Sequence, residues 1–189
     1  MERYFNKSVV LTGDCYVADY TNLSNSEKGV TLSVVPFTDI NYFHLKKANK
    51  NNIRYLAVSF EDYPSFIKGI ENCECVFNAI SDSNKSWILF LELKYCKEYN
   101  VENYVYKAYA QMKETFERLK EMQLIDPLKK IVYFVYASPG NDNRQPFGAS
   151  TVAQNDVLSA YKESGINLLG VNQMLIATPK CLFPGKIRV

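Results

Sequence analysis

This chain of 189 residues has few of the histidine and cysteine residues that form structural metal sites and disulfide bonds. It contains one histidine, His44, and five cysteines, none of them in a CxxC pair. Structural zinc sites usually combine paired Cys or His ligands at short spacing, and only Cys73 and Cys75 stand close together. A zinc site is therefore disfavoured, and reduced, mostly buried thiols in a reducing compartment are expected.

Long apolar runs, strong net charge and nucleotide-binding loops are also missing. No window approaches the ~18–20 apolar residues of a membrane helix, and MERYFNKSVV lacks the apolar core of a signal peptide, so a cytoplasmic protein is expected. The net charge of +2 excludes a histone-like polybasic protein but leaves room for a local basic groove. The absence of GxxxxGK[ST] and GxGxxG disfavours nucleotide-driven motors and dinucleotide enzymes.

What is present is the composition of a globular protein. Apolar residues make up 47% of the chain and charged residues 22%, which predicts one folded domain over residues 1–189. A chain of this length buries a sizeable core without disulfide or metal staples.

Apolar patterning predicts an α/β protein with a mixed central sheet flanked by helices. Residues 1–28 have no clear pattern beyond a short strand or helix, and the predicted strands are 30–37, 53–63, 73–80, 87–95, 131–137 and 168–177. Helices are predicted from the possible cap Thr38-Asp39 through residue 50, which includes His44, at 101–123 and at 153–164. The order is roughly α-β-β-β-α-β with a further α-β.

Charged residues interrupt two otherwise apolar strands. Glu92 and Lys94 stand two positions apart in WILFLELKY, so they share one face of the strand. Glu74 interrupts CECVFNAI on the preceding strand, and a hairpin would bring it beside Glu92. Burying such charges costs several kcal/mol unless they are paired or hold a metal. Two adjacent carboxylates predict an Mg²⁺ or Mn²⁺ site, because these cations prefer oxygen ligands.

This arrangement resembles the PD-(D/E)xK nuclease superfamily, whose signature is an acid on one strand followed by (D/E)-x-K on the next. Glu74 and then Glu92-Leu93-Lys94 match the signature, and a helix and a further strand follow, so the resemblance covers about residues 53–137. It implies a restriction-endonuclease-like core in which Glu74, Glu92 and the Leu93 carbonyl hold the metal and Lys94 positions the attacking water. Gln111 on the helix would support the lysine or a phosphate oxygen.

The chain departs from the family pattern at several positions. Glu74 replaces the usual aspartate, and Cys73 replaces the preceding proline. Many members carry a further acid on an early helix, for which this sequence offers Asp39, Glu61, Asp62 and Glu71.

The resemblance implies a metal-dependent nuclease that hydrolyses nucleic acid, with DNA rather than RNA as the expected partner. Lys97, just after the third apolar strand, is the best placed extra lysine for a nucleic-acid groove. Many members act as dimers, so a homodimer stays open for this chain. The sequence is also compatible with an inactive member of the same fold that binds nucleic acid or protein. It is compatible, finally, with an unrelated α/β domain in which Glu92 and Lys94 form an ordinary ion pair.

Overall fold

The computed structural model describes residues 1–21, 29–48, 52–63, 66, 72–96, 101–139 and 165–185, with helix side chains from residue 104. Within these ranges the chain forms two mixed β-sheets and one long helix, α1 (Val101–Glu121). The strands are β1 (Val9–Leu11), β2 (Cys15–Asp19), β3 (Val30–Ser33), β4 (Phe43–Lys47), β5 (Arg54–Ser59), β6 (Cys75–Ile80), β7 (Ser86–Leu93), β8 (Lys130–Ala137), β9 (Ile166–Gly170), β10 (Gln173–Thr178) and β11 (Cys181–Pro184). Short 3₁₀ turns occupy Phe60–Asp62 and Pro127–Lys129.

The first sheet has the strand order β1-β5-β6-β7-β8-β9. The strands from β1 to β7 pair antiparallel, whereas β7, β8 and β9 run parallel. Every residue of β7 is buried, which is typical of a central strand covered on both faces. This is why SWILFLEL reads as a nearly continuous apolar run rather than as an alternating one.

The second sheet, in the order β11-β10-β4-β2-β3, covers one face of the first. Side chains from both sheets form the core between them, including Trp87, Leu89, Val17 and Phe43. The Trp87 indole N–H donates to the Thr178 carbonyl at 3.0 Å, which ties the two sheets together.

Helix α1 covers the opposite face of the first sheet. Val105, Ala108, Met112, Phe116 and Leu119 are buried at steps of three and four residues, so one stripe of the helix faces the sheet. Phe116 packs edge-on against Phe90 and Phe134, with ring centroids 5.7 and 6.0 Å apart. In the described part of the chain, no helix has the length and apolar character needed to cross a membrane.

Most expected elements of the central region match the structure, and the α/β class is correct. The helix expected from Thr38-Asp39 through residue 50 is wrong, because β4 occupies Phe43–Lys47 with Phe43 and Leu45 buried in alternation. His44 therefore lies on a strand. The single strand expected at 168–177 is two strands, β9 and β10, and the helix expected at 153–164 lies outside the described residues.

A substitution at Phe134 measures how much the core between α1 and the first sheet contributes to the free energy of unfolding. Its side chain is 0% exposed and contacts three aromatic rings, so Phe134→Ala leaves a cavity and should cost about 3–5 kcal/mol of unfolding free energy. Urea unfolding measures the loss. The matched control is Leu128→Ala, since Leu128 is 83% exposed and its truncation should change stability by no more than about 0.5 kcal/mol.

Asp14, directly before β2, links this strand to β4 in the second sheet. Its Oδ1 accepts the Lys47 N–H at 2.9 Å, and its Oδ2 lies 3.0 Å from Nε2 of His44. The His44 ring stacks on Tyr16 with centroids 4.4 Å apart. Burial by itself raises the pKa of Asp14, but the contacts with Lys47 and His44 outweigh it and hold the pKa below its ordinary value.

This lowered pKa predicts acid sensitivity. A carboxylate whose pKa is lower in the folded state adds stability above its unfolded pKa, 3.8 for an ordinary aspartate, and that stability is lost as the pH falls through the folded value. Asp14→Asn should therefore be less stable than the wild type at pH 7, and the difference should shrink as the pH approaches 3. Urea unfolding at pH 7, 5, 4 and 3 measures this. The control Asp82→Asn lies on the exposed turn after β6 and should change the unfolding free energy by no more than about 0.5 kcal/mol.

Candidate functional site

The charged residues singled out by the sequence meet where β6 begins and β7 ends. The antiparallel register pairs Cys75 with Leu91, so Glu74 and Glu92 lie one position beyond this pair on neighbouring strands. Glu92 shares the face of β7 that carries Ile88 and Phe90, the face covered by α1. The hairpin expected to join the two acids is therefore present.

Backbone and side chains of the two glutamates are bonded reciprocally. The Glu74 N–H donates to Oε2 of Glu92 at 3.2 Å and to the Leu91 carbonyl at 3.1 Å. In return, Oε2 of Glu74 accepts the Leu93 N–H at 3.0 Å. One oxygen of each carboxylate thus completes the backbone hydrogen bonding at the end of the sheet.

The other oxygen of each glutamate faces Lys94. The ammonium contacts Oε1 of Glu92 directly and lies 4.0 Å from Oε1 of Glu74. Glu92 is 0% exposed, Glu74 12% and Lys94 20%, so the three charges are screened from water on most sides. The Lys94 N–H donates to the Ala137 carbonyl at 2.9 Å, which fixes this residue against β8.

The two negative charges are not fully balanced by one lysine. Burial raises the pKa of Glu74 well above its usual value, and the charges of Glu92 and Asp19 raise it further. Lys94 and the Leu93 N–H act in the opposite direction without cancelling the effect. The Glu74 carboxyl is therefore harder to ionise than that of an exposed glutamate.

Asp19 is a residue of this site that the sequence did not reveal. It ends β2 in the second sheet, and its charge reaches Glu74. Its N–H donates to the Tyr95 hydroxyl at 3.4 Å, and that hydroxyl donates to the Asn41 carbonyl at 2.5 Å. Only the packing of one sheet on the other brings Asp19 here, so spacing along the chain gives no signal for it.

The described acids among the other candidate metal ligands from the sequence lie away from Glu74 and Glu92 in their contacts. Asp39 accepts the Tyr20 hydroxyl at 2.8 Å, and Asp62 pairs with Lys7 at 3.0 Å. Glu61 is exposed in the 3₁₀ turn after β5. Glu71 and the groove candidate Lys97 lie outside the described residues.

Gln111 lies beside the segment that carries Glu74. Its Nε2 donates to the Asn72 carbonyl at 3.4 Å, and its backbone carbonyl accepts the Thr115 hydroxyl at 2.7 Å. Thr115 Oγ1 in turn accepts the Cys73 N–H at 2.9 Å. This flank of α1 is thus anchored to the backbone of residues 72 and 73, directly before the first acid of the site.

The residues present fit a hard divalent cation. Two carboxylate oxygens already converge on one positive group, and burial, together with the charge of Glu92, raises the pKa of Glu74, so a cation beside it would favour its ionised form. In extended backbone the N–H and C=O of one residue point to the same side, so the Leu93 carbonyl lies on the Glu74 side of β7. Mg²⁺ is commonly held by one or two carboxylates and several waters. Among the described residues no cluster of three or more His, Cys, Asp or Glu side chains forms a larger ligand set.

Comparison with known protein families, curated proteins and solved structures finds no match for this chain. The chemistry of the site therefore rests on the geometry of these residues.

Lys94 is expected to stabilise the fold because two buried carboxylates depend on it. Lys94→Met removes the ammonium beside them and should cost about 3–5 kcal/mol, measured by urea unfolding at pH 7. Adding Glu92→Gln to this variant should restore part of the loss, since one buried charge is then removed. Lys120→Met breaks the exposed Lys120–Glu117 pair, which spans 2.9 Å, and should cost at most about 0.5 kcal/mol. Equal losses for the two lysine variants would contradict this account.

Proposed function

We propose that this protein is a metal-dependent nuclease with a restriction-endonuclease-like core of the PD-(D/E)xK type. The observation that carries the proposal is the convergence of Glu74 Oε1 and Glu92 Oε1 on Lys94 at one end of the sheet. The topology supports it, because the antiparallel strands β5, β6 and β7 are followed by α1 and by β8, parallel to β7. This is the order of elements that the resemblance implies.

Glu74, Glu92 and the Leu93 carbonyl would hold Mg²⁺ or Mn²⁺. When bound, such an ion polarises a phosphoryl oxygen and lowers the pKa of a water molecule. The protein's own contribution is positional: the reciprocal hydrogen bonds to Glu74 N–H and Leu93 N–H fix both carboxylates before any ligand arrives.

Lys94 would orient the attacking water and stabilise the negative charge that develops on the phosphoryl oxygens. Its ammonium lies beside both carboxylates and keeps 20% of its surface open, so it is reachable from solvent. In the reaction the water loses a proton to solvent as its oxygen bonds to phosphorus, the bond from phosphorus to the leaving oxygen breaks, and that oxygen takes up a proton from solvent. The buried site excludes most other water, which strengthens each electrostatic contact.

A second candidate function is binding of nucleic acid without hydrolysis. Two observations favour it. One oxygen of each glutamate accepts a hydrogen bond from a backbone N–H, and the Lys94 ammonium already offsets part of the negative charge of the two carboxylates. Such a cluster is stable without a metal, and fold alone does not dictate chemistry.

Metal titration and cleavage assays separate these functions. Calorimetric titration of Mn²⁺ into the wild type should show one saturable site that Glu92→Gln abolishes and Glu117→Gln, on the exposed face of α1, leaves unchanged. Cleavage of single- and double-stranded DNA and RNA in Mg²⁺ or Mn²⁺ should fall about 10²–10³-fold in Lys94→Met, as for loss of one electrostatic group. The folded state of each variant is checked by circular dichroism.

The outcomes have distinct meanings. Mn²⁺ binding with cleavage that needs Glu92 supports the nuclease. Saturable Mn²⁺ binding without cleavage of any substrate leaves the binding function standing. If the wild type neither binds Mn²⁺ nor cuts, the nuclease proposal fails.

A further inference from the structure

We infer that the substrate of this site is a single strand of nucleic acid that runs along α1 past Lys107 and Tyr104. This inference rests on the proposed function and names its substrate class. The observation behind it is the position of these two residues on α1. They lie on the same side of the helix as Gln111 and Thr115, which are hydrogen-bonded to the backbone directly before Glu74.

The direction of α1 places its N-terminal half at the functional end of the sheet. The helix connects the parallel strands β7 and β8, so it runs back along them and begins at the end of β7 where Glu92 and Lys94 lie. Thr115 accepts the Cys73 N–H and Gln111 donates to the Asn72 carbonyl, which fixes one flank of the helix next to the segment carrying Glu74.

Helical geometry continues this flank toward the N-terminus of α1. Lys107 is four residues before Gln111, about 6 Å along the axis and on the neighbouring surface of the helix. Tyr104 is seven residues before Gln111, about 10 Å along the axis and rotated by only about 20°. Both side chains are exposed, Tyr104 to 37%, whereas Gln111 is buried.

These residue types at these distances suit a nucleic-acid strand. Lys107 and Tyr104 lie about 6 and 10 Å from Gln111 along the helix axis, a span that a few nucleotides of one strand can cover. A lysine offers a point charge to a phosphate, and a half-exposed tyrosine ring offers a face to a base. A ring stacks in this way only on a base that is not paired within a duplex, which is why a single strand is inferred.

The chain supplies a matched control for each residue. Tyr106 is 49% exposed and follows Tyr104 by two residues, and Lys113 is exposed and follows Lys107 by six. Two residues along a helix turn a side chain about 160° away and six turn it about 120° away, so both controls point away from the residues they match. They match the chemistry of the tested residues without sharing their position.

The test is the affinity of a fluorescein-labelled 15-nucleotide single strand, measured by anisotropy in EDTA so that no cleavage occurs. Tyr104→Ala should weaken binding about tenfold, with Tyr104→Phe restoring it, because stacking needs the ring and not the hydroxyl. Lys107→Ala should lower the slope of log Kd against log salt by about 0.7, the value for one phosphate contact on a single strand. Tyr106→Ala and Lys113→Ala should change neither quantity.

Each result decides the inference separately from the nuclease proposal. Equal effects of tested and control variants, or a duplex bound as tightly as the single strand, would overturn the strand path even if Glu92-dependent cleavage is observed. Selective effects of Tyr104→Ala and Lys107→Ala support the strand path even if no substrate is cut.

Discussion

The burial of two carboxylates and one ammonium at the end of β6 and β7 is the constraint around which the central sheet is organised. Glu92 is inaccessible to water and Glu74 nearly so, which is costly for either charge alone. The cost is offset by Lys94 from the same face of β7 and by two backbone N–H groups. Because the backbone N–H of Lys94 also donates to the Ala137 carbonyl, the cluster links β6, β7 and β8 at one end of the sheet.

The sequence predicts this centre well because its signals there are local. An apolar run fully covered on both faces identifies β7, and a periodic helix follows it. The spacing of Glu92 and Lys94 places them on one face whatever the rest of the fold does, and the polar turn at 81–86 makes the hairpin partner of β7 evident. Glu74 and Glu92 therefore meet as expected, and the α1 flank with Gln111 lies beside them.

The second sheet was not predictable by the same means. The strand β4 pairs with β10, about 130 residues later in the chain, so no local pattern marks their contact. Tyr42 and Leu45 fit a helical spacing as well as Phe43 and Leu45 fit an alternating one, and a short segment cannot decide between the two periods. In β2, four consecutive buried residues hide the alternation altogether. Asp19 was missed with this strand, since only sheet packing brings it near Glu74.

The glutamate at position 74, where the resemblance leads one to expect aspartate, has a physical explanation in this site. Residue 74 stands just before β6, and its side chain must reach past its own strand to the Leu93 N–H on β7. A glutamate is one methylene longer, so it makes this hydrogen bond with Oε2 while Oε1 still faces Lys94. A shorter aspartate would satisfy one of the two partners and leave the other without it. The longer side chain therefore lets one residue both close the backbone hydrogen bonding and direct Oε1 toward Lys94, so the glutamate keeps an oxygen at the place where the proposed metal would lie.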